Sequence, residues 1–177
     1  HQANRGVIKW GNVSGQLPIR VKIVASTIPD DVENQFRDAI VIVVNRDTPA
    51  FSGERISNLP VEFGEVATDL EIEKLFHESP TIADYPLLES RRIIRSRVRY
   101  DSQLISDAIR RGADITGNGS HEYGHCWGAS DFNDSNFDSV MNSQSGRVAT
   151  QPTVNDKLAA FVYNHPNVHP GNTAPDT

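Results

Sequence analysis

The sequence predicts an α+β fold: a twisted mixed β-sheet packed on helices, followed by a smaller, irregular C-terminal part. Three observations carry this. Leu17 to Ala25 is rich in β-branched residues, at Ile19, Val21, Ile23 and Val24, as a strand requires. A helical apolar stripe follows it. Further on, Ile93 to Tyr100 alternates Arg95, Arg97 and Arg99 with Ile94, Ser96, Val98 and Tyr100, the period of a half-buried strand. At 177 residues the chain is long enough for one domain with a sizeable core, and 37% hydrophobic and 23% charged residues exclude a disordered chain.

The elements follow in order. Asp30 can cap a helix from about Asp31 to Asn45, with Glu33 three residues on, as in a capping box. Val32, Phe36, Ala39, Ile40 and Val43 form its apolar face. Asp47 to Asn58 reads as loop, Pro60 to Val66 as a short strand and Asp69 to Phe76 as a short helix. Pro80 and Pro86 mark an irregular connection. The three arginines of the alternating strand could bind an anion, but a solvated face that blunts a sheet edge explains them. A helix from about Gln103 to Arg111 carries Leu104, Ile105, Ala108 and Ile109 on one side, and Gly112 stops it. A last helix, about Val154 to Tyr163, has Thr153 as cap and Asp156 three residues on. The tail from Asn164 holds three prolines and reads as loose.

Composition excludes several functions. The formal charge of −6 is wrong for wrapping nucleic acid. The longest apolar run, Ala39 to Val44, is six residues, far short of a membrane span. Cys126 is the one cysteine, so no disulfide can form within the chain. Its place at a freely varying position inside the motif described next suits a packed small apolar thiol.

One segment concentrates chemistry: His121-Glu122-Tyr123-Gly124-His125-Cys126-Trp127-Gly128-Ala129-Ser130-Asp131. On a helix, positions i and i+4 share a face, so His121 and His125 can both reach one metal ion. Glu122 lies about 100° round the helix from His121 and can act on a water at the metal without being a ligand. A stop at Gly128 lets the chain reverse, which returns Asp131 toward the histidines as a third ligand. Two imidazoles and a carboxylate with an open fourth position are a catalytic zinc set. The short His-Glu-x-x-His pattern arises by chance in roughly 1% of such chains. Adding the Gly and the final His or Asp lowers that to roughly one in ten thousand. His77 has no partner pattern, and Pro166 between His165 and His169 argues against a helical pair there.

This segment resembles the extended motif of the metzincin zinc peptidases, H-E-x-x-H-x-x-G-x-x-H, with Asp131 in the last place as in the secreted snapalysins. Met141, the one methionine, lies ten residues after Asp131, where the family has its Met-turn beneath the metal. Pro152 and a helix ending Val162-Tyr163 suit matrixin-like members. The resemblance implies a single catalytic domain over residues 1–177, with subdomains 1–128 and 129–177 and zinc in the cleft above the smaller one. It implies a secreted zinc endopeptidase acting on protein or peptide substrates. Calcium is possible in such a protein, but no sequence feature marks a site. Glu122 would be the general base, His121, His125 and Asp131 the metal ligands, and Met141 structural.

Two alternatives stay open. Asp134 or Asp138 could replace Asp131, as in peptidases with a more distant Asp ligand. A non-catalytic zinc module would need a fourth protein ligand; Cys126 is the candidate, although its side chain points about 100° away from that of His125. A distant Glu ligand is excluded, because no Glu follows Glu122.

Overall fold

The computed structural model describes residues 9–10, 19–23, 30–52, 61–63, 70–74, 81–83, 87–89, 92–131, 133–134, 136–143 and 149–163. In the strand segments, side chains are described at Ser96, Val98 and Tyr100. The elements are β1 (Lys9–Trp10), β2 (Ile19–Ile23), α1 (Asp30–Ser52), β3 (Val61–Phe63), β4 (Leu70–Lys74), β5 (Thr81–Ala83), β6 (Leu87–Glu89), β7 (Arg92–Tyr100), α2 (Ser102–Arg110), α3 (Thr116–Cys126) and α4 (Val154–Tyr163). His77, His165, His169, the bends at Pro80 and Pro86 and the tail from Asn164 lie outside the described residues.

The expected fold class is corrected. Where side chains are described, 64% of residues are helical and 5% are in strand, with no sheet among them. The strands pair as backbone ladders: β2 runs parallel to β3 and β4, β4 runs parallel to β7, and β5 and β6 run antiparallel to β7. In the described core, strand side chains come from β7 alone. The body that carries the site is therefore helical, not a twisted mixed sheet with a cleft in the metzincin manner. The physical reason is the burial of helix faces against one another. Val32, Phe36, Ile40, Val43, Val44 and Phe51 of α1 cluster with Ile105 and Ile109 of α2 and with Tyr123 and Cys126 of α3. Each such large side chain contributes roughly 1.5–3 kcal/mol by leaving water. Phe36 meets Tyr100 edge-on, with ring centroids 5.0 Å apart.

Two elements differ from their expected form. α1 does not end near Asn45 but continues through Pro49 to Ser52. Proline costs a helix about 3 kcal/mol, and tertiary contacts offset this. Asp47, fully buried, accepts from Arg46 Nε at 2.6 Å and from the Ser120 hydroxyl. Thr48 Oγ1 lies 2.6 Å from the Tyr123 hydroxyl, and Phe51 packs edge-on against the same ring. Melting the last turn of α1 would strand a buried carboxylate, which is costly. Residues 70–74, expected as helix, are strand β4, with Ile72 in register with Val98 of β7. Five residues are too few for a helical and an extended pattern to differ by periodicity.

Candidate metal centre

α3 begins just after Asp114, whose carboxylate accepts the Thr116 N–H at 2.8 Å. That bond holds the Asp114 carboxyl below its usual range. The helix runs to Cys126 and ends in a Schellman turn. Gly128 N–H donates to His125 O at 3.0 Å, Ala129 N–H donates to Gly124 O at 3.1 Å, and Gly128 has φ 88°. Only glycine takes that conformation without strain. The turn sends residues 129–131 back along the helix.

His121 and His125 lie on one face with their rings nearly perpendicular, centroids 4.8 Å apart. Each ring is fixed by its Nδ1. His121 Nδ1 is 2.8 Å from Val140 O, and His125 Nδ1 is 2.8 Å from Ala129 O. A carbonyl only accepts, so in both neutral rings Nδ1 carries the proton and Nε2 carries a lone pair. The two Nε2 atoms stand 3.2 Å apart. Asp131 Oδ1 is 3.0 Å from the first and 3.4 Å from the second. Three electron-rich atoms thus converge, an arrangement that repels itself until a cation or a proton sits among them.

The fit to a metal can be tested on these edges. Ligands about 2.0–2.1 Å from a tetrahedral centre stand about 3.3 Å apart, and the three observed separations, 3.0, 3.2 and 3.4 Å, bracket that value. Among the described residues, His121, His125 and Asp131 are the one group of His, Cys, Asp or Glu side chains placed to share an ion. The group could hold a metal. Cys126 does not join it and is wholly buried. Neither do Asp134 and Asp138; Asp134 Oδ1 accepts the Asn136 N–H at 2.9 Å instead.

Met141 packs against α3, and Glu122 sits half-buried on that helix. Its carboxylate lies near enough to Tyr100 to act on it: burial first, then the charges of Glu122 and Cys126, push the Tyr100 phenol far above its usual range. Met141 is buried, with Sδ directly over the α-carbon face of Gly124. A Cβ on Gly124 would overlap that sulfur and stand 2.9 Å from Phe51 Cζ. The Met141 segment is held from α4. Asp156 Oδ2 accepts the Val140 N–H at 2.9 Å and the Thr153 N–H at 2.8 Å, while its other oxygen accepts the Ser139 hydroxyl.

The two carbonyls that orient the histidines have no counterpart in the sequence reading, because a backbone acceptor carries no residue signature. Asp156 was visible only as the partner of the Thr153 cap; its second role depends on where the chain places Ser139. Compared with known proteins, the chain matches no family model and no curated sequence.

Proposed function

We propose that this protein is a zinc-dependent endopeptidase. The observation that carries the reading is the convergence of two Nε2 atoms and one carboxylate oxygen within 3.4 Å of one another, in a motif that resembles the metzincin peptidases. His121, His125 and Asp131 would hold the ion, with a fourth position open. Zinc, when bound in such a site, polarises the scissile carbonyl and makes water a nucleophile at neutral pH. The rest falls to the chain. His121 and His125 offer Nε2 because Val140 O and Ala129 O keep their protons at Nδ1. Asp131 brings one negative charge, so a divalent site is less positive than with three imidazoles and acidifies water less. Glu122, beside His121 and not in the ligand group, takes the water proton on its carboxylate and passes it to the leaving amine nitrogen. The substrate class is a peptide segment of a protein.

One comparison tests this reading. Wild-type protein dialysed against zinc should retain about one ion per chain and cleave a peptide library. Asp131→Ala should lose the ion. Glu122→Gln should keep the ion and the melting temperature while turnover falls by about 10²- to 10⁴-fold. Zinc-free wild type, or Glu122→Gln with normal turnover, would sink the proposal.

A further inference from the structure

The hydrogen bond from His121 does not end at Val140. The carbonyl that accepts it belongs to the Val140–Met141 peptide, and the N–H of that peptide, on Met141, donates to Ser139 Oγ at 2.9 Å. Ser139 in turn donates its hydroxyl to Asp156 Oδ1. The bonds run in one direction: His121 Nδ1–H to Val140 O, Met141 N–H to Ser139 Oγ, Ser139 O–H to the Asp156 carboxylate. Ser139, Val140, Met141 and Asp156 are all buried. A chain of like-directed bonds in a low-dielectric interior polarises each member. The carboxylate draws the Ser139 proton, which makes Ser139 Oγ the better acceptor for Met141 N–H. That in turn puts more negative charge on Val140 O. Histidine ligands commonly donate their second N–H straight to a carboxylate, which raises their basicity. Here the carboxylate is one serine and one peptide unit away.

We propose that Asp156 is a positioning residue for the metal centre, acting on His121 through Ser139 and the Val140–Met141 peptide. It fixes the Nδ1–H tautomer and strengthens Nε2 as a donor. His125 gives its Nδ1–H to Ala129 O within the turn that ends α3, so the two imidazoles are unequal and His121 is the stronger ligand. This inference rests on the metal centre proposed above, not on the peptidase activity.

The test uses the full chain. Ser139→Ala removes the middle of the relay and leaves Asp156 its bonds to Val140 N–H and Thr153 N–H. Ser139→Thr keeps a hydroxyl. Zinc affinity is measured by competition with a chelator, and the Nδ1–H signals of His121 and His125 are followed by ¹⁵N NMR with and without zinc. Ser139→Ala should weaken zinc about 10- to 100-fold and move the His121 signal while that of His125 stays in place. Ser139→Thr should restore both. Asp156→Asn should act like Ser139→Ala if it folds; Ser139→Ala decides the matter if it does not. Ser139→Ala with zinc affinity within twofold of wild type and an unmoved His121 signal overturns the relay. So does an equal shift of both histidines, which marks general loosening. Should wild type bind zinc but cleave nothing, the proposed function fails and the relay is still read from affinity. Should wild type bind no zinc, the metal centre fails and the proposal falls with it, whatever the His121 signal does.

Discussion

Gly124 shows how tightly a single residue is constrained beside the histidines. It occupies a freely varying place in the motif, yet Met141 Sδ and the Phe51 ring leave no room for a Cβ there. Both neighbours are buried, so neither can swing aside into solvent. Gly124→Ala gains helix propensity of about 1 kcal/mol and still should destabilise the protein, because overpacking a filled interior costs about 1–3 kcal/mol or more. Chemical denaturation should show a net loss for Gly124→Ala. In a Met141→Leu background the loss should change, because the two sites touch and are not additive. Met141→Leu alone conserves volume and should cost less than about 1.5 kcal/mol. A stabilised Gly124→Ala would mean that the Met141 side chain does not lie over α3. His121, His125 and Asp131 were legible in the sequence as a spacing. The space that Gly124 leaves empty was not, since it depends on a methionine 17 residues away along the chain.

At the scale of elements, helices with a local cap and a local stop were legible. α2 begins after Asp101, which accepts the Leu104 N–H at 2.8 Å, and it ends before Gly112. α4 keeps its expected bounds, with Thr153 and Asp156 joined as a capping pair. The far end of α1 was not legible, because Asp47, Thr48 and Phe51 each also meet a residue of α3 that is distant in sequence. α3 itself depends on Asp114 at its start. Asp114→Ala removes the bond to the Thr116 N–H and should cost about 0.5–1.5 kcal/mol. The Thr116 N–H lowers the folded-state pKa of Asp114, so its contribution is complete above the unfolded carboxylate pKa. It is lost as pH falls through the folded value. Denaturation at pH 7 and at pH 3 should therefore separate wild type from Asp114→Ala at the higher pH and narrow the gap at the lower. An equal gap at both would mean that the charge of the Asp114 carboxylate does not strengthen its bond to Thr116.

The molecule as a whole is held by a core in which two tyrosines are buried whole. Burial raises both phenols; for Tyr123, hydrogen bonds with Thr48 and Trp127 pull the other way without cancelling the rise. A folded pKa above the unfolded one means stability that is complete below the unfolded tyrosine pKa of about 10. It drains away as pH rises beyond that point. Melting temperatures should thus fall steeply above about pH 10, and near-ultraviolet spectra should show two phenols ionising only on unfolding. Tyrosines that all titrate freely in folded protein would contradict this packing. The expected sheet-based architecture failed at this scale for a plain reason. Alternation and β-branching mark which segments are extended, but they do not say which layer fills the core, and among the described residues helices supply most of it. One asymmetry in the proposed metal site bears on how an ion would come and go. The His121 and His125 side chains are 11% and 17% exposed, whereas Asp131 is 52% exposed on the segment after Gly128. The two imidazoles are tied to backbone carbonyls through Nδ1, whereas the carboxylate stands at the solvent edge of the proposed site. Exchange therefore opens at one edge. An ion held at the proposed site would shed its carboxylate first and its imidazoles last, and a chelator would gain its first foothold at Asp131.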